Sequence, residues 1–182
     1  MSDTQWPRFE VFKQDSHADR HAGVGSVHAP DGEMALLIAR DVFVRRPDCV
    51  SLWVAPAQRI SSFTVQQLAS AAPPLRGSHG RGPESFEVFK KVHHKGVHTH
   101  VGQVTAETPF DALRAACQDF AEPPAHVWWL VPSASLVRSE PADSDSFFEP
   151  ALHKPFRDQA FYRIQTLLRR LKKAGLAQKD GE

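Results

Sequence analysis

The chain contains the same sequence pattern twice. FEVFK occupies residues 9–13 and returns at residues 86–90. At the same spacing, further identities follow: His17 with His94, His21 with His98, Val24-Gly25 with Val101-Gly102, Ala35-Leu36 with Ala112-Leu113, and Phe43 with Phe120. After a one-residue deletion near Pro123, Trp53 aligns with Trp129. Because the identities include glycine, aromatic, aliphatic and polar positions, they indicate a duplication.

Two copies are too few to build a solenoid, which needs three or more stacked repeats. The 182 residues therefore predict two small units that pack as a pseudo-dimer, like a homodimer whose subunits have been joined. A unit of about 60 residues buries only about 60 % of the surface of its unfolded chain, so its private core is marginal. We expect the packing of one copy on the other to supply much of the stability.

Each copy is predicted to be a ββαβ unit, and the fold class is α+β. In the first copy, strands are expected at residues 9–12, 24–29 and 50–55, and a helix at 31–45 with Asp31 as its N-cap. The corresponding strands of the second copy are residues 86–89, 97–106 and 127–131, and its helix is 108–120. Gly25 and Gly102 fall inside strands, which is typical of a bulge or a close backbone approach.

Composition divides the chain into four parts. The first repeat spans residues 1–60 and the second 84–138. Residues 61–83 are rich in Pro, Gly and Ser and are predicted to be a linker. Residues 139–182 form a C-terminal arm followed by an amphipathic helix, whose apolar face is Phe161, Ile164, Leu167, Leu168 and Leu171.

Charge and cysteine usage exclude several functional classes. Basic residues number 22 and acidic residues 21, so nucleic acid is not an expected partner. We find no apolar run typical of a leader or a membrane span, and we expect a cytoplasmic protein without membrane contact. Cys49 and Cys117 occupy unrelated positions in the two copies and predict neither a disulfide nor a thiolate metal site.

Catalytic signatures are missing from the sequence. No Glu-x-x-His pair occurs, and no serine lies in a Gly-x-Ser-x-Gly elbow. We therefore assign no catalytic, cofactor-binding or metal residues. The sharpest chemical hypothesis is a histidine metal site made by His93, His94, His98 and His100. The alternative is that these histidines face solvent or form hydrogen bonds between the copies.

Aromatic residues near the third strands and in the arm have two possible roles. They could form a partner interface, where such side chains dominate binding energy, or they could pack between the copies. The sequence leaves both roles open for Trp53, Trp128, Trp129, Phe147, Phe148, Phe161 and Tyr162.

Several motifs in the right order resemble the B subunit of phenylacetyl-CoA epoxidase, also called phenylacetate-CoA oxygenase. In the first copy, about residues 5–60, they are Trp6-Pro7-x-Phe9-Glu10-Val11-Phe12, Val24-Gly25-Ser26-Val27-His28-Ala29, Glu33-Met34-Ala35-Leu36, Arg45-Arg46 and Ser51-Leu52-Trp53-Val54. The second copy is similar but more diverged. It is followed by a tail like that of the family, with Phe147-Phe148-Glu149-Pro150 and Phe161-Tyr162.

This resemblance implies a non-catalytic component of a multicomponent monooxygenase. In the family, a separate subunit holds the di-iron centre, another acts as its scaffold, and a reductase with flavin and iron–sulfur groups supplies electrons from NADPH. The resemblance implies that this chain holds none of these cofactors and bridges or orders the oxygenase subunits. The usual family protein is one unit with its own tail, so the tandem chain resembles a fused dimer with one tail deleted.

The expected partner surface has two parts. The first copy would contribute Arg40, Arg45, Arg46 and Trp53, and the arm would contribute Phe147, Phe148 and Tyr162. Two rival hypotheses stay open: a His-rich metal-binding protein, and a regulatory α+β module that binds a small ligand.

Overall fold

The structure, a computed structural model, describes residues 6–45, 49–64, 82–153 and 169–170. Along the chain the elements are β1 (Arg8–Gln14), β2 (Ala22–His28), α1 (Gly32–Phe43), β3 (Ser51–Pro56), β4 (Ser61–Thr64), β5 (Glu84–Lys91), β6 (Thr99–Ala106), α2 (Pro109–Asp119), β7 (Val127–Pro132), β8 (Val137–Arg138) and α3 (Ser144–Phe148). Each copy therefore contains a ββαβ unit, which confirms the predicted α+β class.

Both long helices begin where their capping residues predict. The Asp31 side chain accepts a hydrogen bond from the Met34 amide at 2.8 Å, and the Thr108 hydroxyl accepts one from the Asp111 amide at 3.1 Å. Each bond satisfies an amide that has no partner within the helix. The start of the second strand in the second copy differs from the prediction: β6 begins at Thr99 rather than Val97, because the preceding chain closes a turn in which the Gly96 amide donates to the His93 carbonyl.

The eight strands form one antiparallel sheet in the order β4-β7-β5-β6-β2-β1-β3-β8. Equivalent strands lie at equal distances from the centre of this order, where β2 meets β6. The central contact is short: Ala22 pairs with Thr99, the Gly23 amide donates to the His98 carbonyl at 2.7 Å, and the His100 amide donates to the His21 carbonyl at 2.8 Å. The predicted intrachain pseudo-dimer is confirmed, with its two-fold axis between β2 and β6.

Each copy gives a short strand to the other. After the 3-10 turn Ala57–Arg59, the chain crosses from the first copy and β4 pairs with β7. After the equivalent turn Ser133–Ser135, β8 pairs with β3 of the first copy. The prediction that the linker starts at residue 61 is therefore wrong for Ser61–Thr64, because these residues complete the edge of the second copy. Residues 65–81 lie outside the described part.

The sheet is strongly curled, as contacts between side chains of distant strands on its inner side show. Phe12 on β1 and Phe89 on β5 are fully buried and stack with ring centroids 3.9 Å apart, although two strands lie between β1 and β5 in the sheet. The inner cluster is Phe12, Ala55, Phe89, Val131 and Leu136, with Trp53, Ile60 and Trp129 packed against it. The core that joins the copies thus lies inside this curl, while α1 and α2 cover separate cores on the outer side.

Two glycines allow the helices to approach the sheet. Gly25 has φ +145° and Gly102 has φ +158°, and each lies beside a bulge in its own strand, where Val24 and Val101 have no directly opposite residue. A Cβ atom at Gly25 would stand 2.8 Å from Cζ of Phe43, and one at Gly102 would collide with Phe120 in the same way. Both predicted reasons for a strand glycine, a bulge and a close approach, are therefore present.

The arm after β8 packs on the first copy. Phe148 and Ala151 are buried in the core under α1, and Phe147 packs against the same cluster. The Arg40 guanidinium lies over the Phe147 ring, 5.1 Å from its centroid. The tail that follows the second copy therefore packs on the first copy, just as β8 pairs with a strand of the first copy. Within the described ranges, no helix is long and apolar enough to cross a membrane.

Candidate functional site

Two histidine–tryptophan stacks occupy equivalent positions on the inner side of the sheet. The His21 ring stacks on Trp53 with centroids 3.6 Å apart, and the His98 ring stacks on Trp129 at 3.5 Å. Trp129 also meets Phe12 of the first copy edge-on at 6.4 Å. The repetition of His21 and His98 in the sequence thus reflects shared packing, and the two tryptophans take the packing role that the sequence left open.

The two stacked histidines differ in their hydrogen bonds. His21 Nε2 lies 3.0 Å from the Ser51 hydroxyl. His98 Nε2 is buried without a hydrogen-bond partner in the described part of the chain, since Val127 occupies the position equivalent to Ser51. Burial lowers the pKa of both imidazoles to about 4, and the electrostatic influence of His100 and Arg138 adds to the lowering at His21. Both rings are neutral at neutral pH.

A polar network around Glu87 occurs in the second copy. Glu87 is buried, with 5 % of the residue exposed. It accepts hydrogen bonds from His100 Nε2 at 2.7 Å, Arg138 Nη2 at 2.8 Å, Ser133 Oγ at 3.0 Å and Gln103 Nε2 at 3.2 Å. Burial alone would raise the pKa of Glu87, but the hydrogen bonds from His100 and Ser133 and the charge of Arg138 hold it below its ordinary value. The carboxylate is therefore ionised, and both of its oxygens accept hydrogen bonds within the chain.

Arg138 connects this network to the first copy. It lies on β8, so the strand exchange brings it beside β3, with its guanidinium 4.9 Å from the centroid of the Trp53 ring. Its equivalent in the first copy is Ser62, whose hydroxyl accepts a hydrogen bond from Trp129 Nε1 at 3.1 Å. Sequence reasoning missed Arg138 and Glu87. The available signal was the repeat of Glu10 at Glu87 within FEVFK, but the residues that contact Glu87 are distant in sequence and differ between the copies.

The first copy has no such network at the equivalent carboxylate. Glu10 pairs with Arg8 at 3.1 Å, and burial raises its pKa. The side chains that hold Glu87 are replaced in the first copy by smaller residues, namely Gly23, Ser26, Ala57 and Ser62. One fused chain thus carries a charged network on one side of its two-fold axis.

The four histidines proposed as a metal site are not brought together. His98 stacks on Trp129 and His100 binds Glu87, whereas His93 and His94 lie in an exposed turn. Over the described ranges, no group of three or more His, Cys, Asp or Glu side chains could hold a metal ion.

The residues expected to contact partners lie in different environments. Arg45 is exposed, and its Nε donates to the Val42 carbonyl at 3.0 Å. Arg40 is partly exposed and lies between Asp41 and Phe147. Trp53 and Phe148 are used in packing within the chain, while Arg46 and Tyr162 lie outside the described residues. Arg40 and Arg45 therefore stay predictions for a partner contact.

A groove beside Lys90 is a concave surface with a cation in the described part of the chain. Its cavity has a volume of about 440 Å³ and includes Arg20, Val97 and Val101 in its lining. Lys90 itself is 3 % exposed, and its Nζ donates to the carbonyls of Phe120 at 2.7 Å and Pro123 at 2.8 Å. These bonds satisfy carbonyls at the end of α2, which leaves Arg20 as the exposed cation of the groove.

Comparison with known proteins gives two consistent matches. The family model described as "Phenylacetic acid degradation B" matches twice, at residues 5–86 and 83–168. The B subunit of the 1,2-phenylacetyl-CoA epoxidase of Escherichia coli (strain K12) is 33 % identical over 94 residues, which cover 52 % of this chain and 99 % of that protein. No solved structure matches. One full-length relative therefore corresponds to about half of this chain.

Proposed function

The chain belongs to the phenylacetic acid degradation B family, and from this membership we propose that it is a non-catalytic assembly subunit of a multicomponent di-iron monooxygenase. The enzyme would epoxidise the ring of phenylacetyl-CoA. The observation that carries the proposal is the double match, because two consecutive family units in one chain supply both halves of a paired assembly subunit. The relative named as the B subunit of 1,2-phenylacetyl-CoA epoxidase supports a place in such an enzyme.

The proposed partners are the di-iron catalytic subunit and its scaffold subunit, with a reductase as a further partner. The redox groups would belong to these partners. The side chains at the centre of this chain support a structural role, since Glu87 and Lys90 are held by hydrogen bonds within the chain and His21 and His98 are stacked on tryptophans.

The geometry favours bridging because the chain has two outward helix faces that are not alike. The face of α1 adjoins the arm and the exposed Arg45, whereas the face of α2 carries charged side chains. A symmetric dimer would offer the same surface twice. We infer that this chain presents two different surfaces, and that Arg40 and Arg45 take part in one of them.

Co-expression with the candidate subunits from the same genome tests the proposal. A tag on this chain and native mass spectrometry of the eluate should give a stoichiometric complex. Arg45→Glu places a charge at the position where the second copy has Glu122, and it should weaken the complex by about tenfold. Lys95→Glu, in the exposed turn before β6 and on neither helix, is the control for the charge change. Elution of the chain alone, while the other subunits are soluble, would exclude the bridging role.

A second candidate function is ligand binding in the groove beside Lys90. The observation in its favour is the combination of apolar valines with the exposed Arg20 in a cavity of about 440 Å³, a size that suits a small ligand. A rise in the melting temperature of the isolated chain with phenylacetyl-CoA, absent in Arg20→Ala, would support it. An unchanged melting temperature at millimolar ligand would exclude it.

A further inference from the structure

The outward face of α1 is apolar, and the equivalent face of α2 is not. Met34 is 43 % exposed, and Leu37 and Val42 are each 40 % exposed. Their helical spacing places them on one side of α1, together with the half-buried Ile38. The equivalent positions of α2 are Asp111, Arg114 and Asp119. A cluster of exposed apolar side chains on one helix, with charges at the same positions of its duplicate, indicates that α1 is covered and α2 is not.

The arm reaches only the copy that has the apolar face. Phe147 packs on the first core and lies under the guanidinium of Arg40, which is one helical turn from Leu37, so the arm reaches the edge of the outward side of α1. Leu152, near the end of the described arm, is 62 % exposed and lines a cavity together with Cys49, which precedes β3 of the first copy. The described arm thus ends on the first copy, the copy that has the uncovered apolar face.

We propose that the outward face of α1 is the docking site of this chain's own C-terminal segment, residues 161–171. The sequence places Phe161, Ile164, Leu167, Leu168 and Leu171 at helical spacing, which predicts one apolar face. A helix of this length is about 16 Å long, and the stretch of α1 from Met34 to Val42 is about 12 Å. The apolar lengths therefore match.

The connection permits this docking. The described arm ends at His153, and the residues 154–160 can span at most roughly 25 Å, which is longer than α1 itself. A segment tied to the protein by so short a connection has an effective concentration in the millimolar range. A second chain or another protein would have to compete with this segment for the same apolar face.

Cross-linking of the full-length chain tests the docking directly. In a Cys117→Ser background, Leu37→Cys is combined with Leu167→Cys and treated with a short bis-maleimide. The matched control combines Leu167→Cys with Arg114→Cys, the equivalent position on α2. We expect a cross-link within one chain, at least about fivefold more abundant with Leu37→Cys than with the control. Equal yields, no cross-link, or a cross-link that joins two chains would overturn the proposal.

Deletion of residues 154–182 provides an independent readout. In the natural background, the deletion should lower the melting temperature by about 4–8 °C, because it uncovers the apolar face. In the triple variant Met34→Asp, Leu37→Arg, Val42→Asp, which copies the residues of α2, the same deletion should change it by less than about 1 °C. Equal shifts in the two backgrounds would overturn the proposal. Both tests use the isolated chain, so their outcome is separate from that of the proposed assembly role.

Discussion

The two copies share a backbone and differ in their polar contacts. Both keep the stacked phenylalanines, the two strand glycines and the helix N-caps. The first copy receives the arm and has Ser51 for its histidine, whereas the second builds the network around Glu87. In a homodimer each residue must suit both sides of the two-fold axis. Fusion removes this restriction, and the divergence shows which features the fold itself requires.

The largest expected effect concerns what the copies share. Phe12→Ala and Phe89→Ala should each lower the free energy of unfolding by about 3–5 kcal/mol, because each ring is fully buried in the inner cluster. Since the rings contact each other, the double variant should lose less than the sum. Urea unfolding measures all three. A difference of more than about 1.5 kcal/mol between the single variants would show that the two halves of the core are not equivalent.

The next largest expected loss of stability should differ between the two copies. Glu87→Gln removes a buried carboxylate that accepts four hydrogen bonds and should cost about 2 kcal/mol. Glu10→Gln at the equivalent position should cost less than about 0.5 kcal/mol, because a single arginine on the surface side holds that carboxylate. Urea unfolding at pH 7 compares them. Similar losses would mean that the network adds no more stability than the pair of Glu10 with Arg8.

The pH dependence of stability should report both histidine stacks. The folded pKa of His21 and His98 is about 4, below the ordinary 6.5, so the unfolded chain binds protons first as the pH falls. Their contribution is fully present above pH 6.5 and is lost between pH 6.5 and about 4. Glu87, whose pKa is lowered from 4.5, loses its contribution only below pH 4.5. His98→Gln should therefore flatten the melting-temperature curve between pH 6.5 and 4, and an unchanged slope would contradict a buried neutral ring.

The smallest expected change in stability comes from exchanging the residues at one equivalent position, Ser51 of the first copy and Val127 of the second. Ser51→Val should destabilise the protein by about 1 kcal/mol, because it removes the hydrogen-bond partner of His21. Val127→Ser offers the same partner to His98 Nε2 and should stabilise by about 0.5–1 kcal/mol. Thermal unfolding of the two variants provides the test. A loss in both would show that the side chains around the two stacks are not superimposable.

Local signals in the sequence predicted the local parts of the fold. The FEVFK strands, the Asp31 and Thr108 caps and the strand glycines lie where the pattern placed them, because each depends on its immediate neighbours. The exchanged strand Ser61–Thr64 was missed, since it is short, polar and next to a Pro- and Gly-rich stretch. Its structure depends on pairing with β7 of the other copy, which no local pattern records.

The candidate site was less predictable than the fold. The sequence pointed to the histidines but not to the residues that contact them. Arg138 and Glu87 are separated by 51 positions and meet only because β8 crosses to β3. Trp53 and Phe148 were plausible contacts for a partner until the curl of the sheet and the course of the arm placed them inside. The topology of the sheet decides which aromatic side chains are buried. The sequence alone therefore left both roles open, contact with a partner and packing within the chain.

The strand exchange also constrains the order of events during synthesis. When β3 leaves the ribosome, its outer edge has no partner until β8 emerges, and β8 starts at Val137 while β3 ends at Pro56. At the usual translation rate of about 5–20 residues per second, that interval lasts roughly 4–16 s. An unpaired strand edge is a template for wrong pairing with other chains. The first copy therefore has an unpaired strand edge during synthesis until β8, which follows the second copy, emerges and pairs with β3.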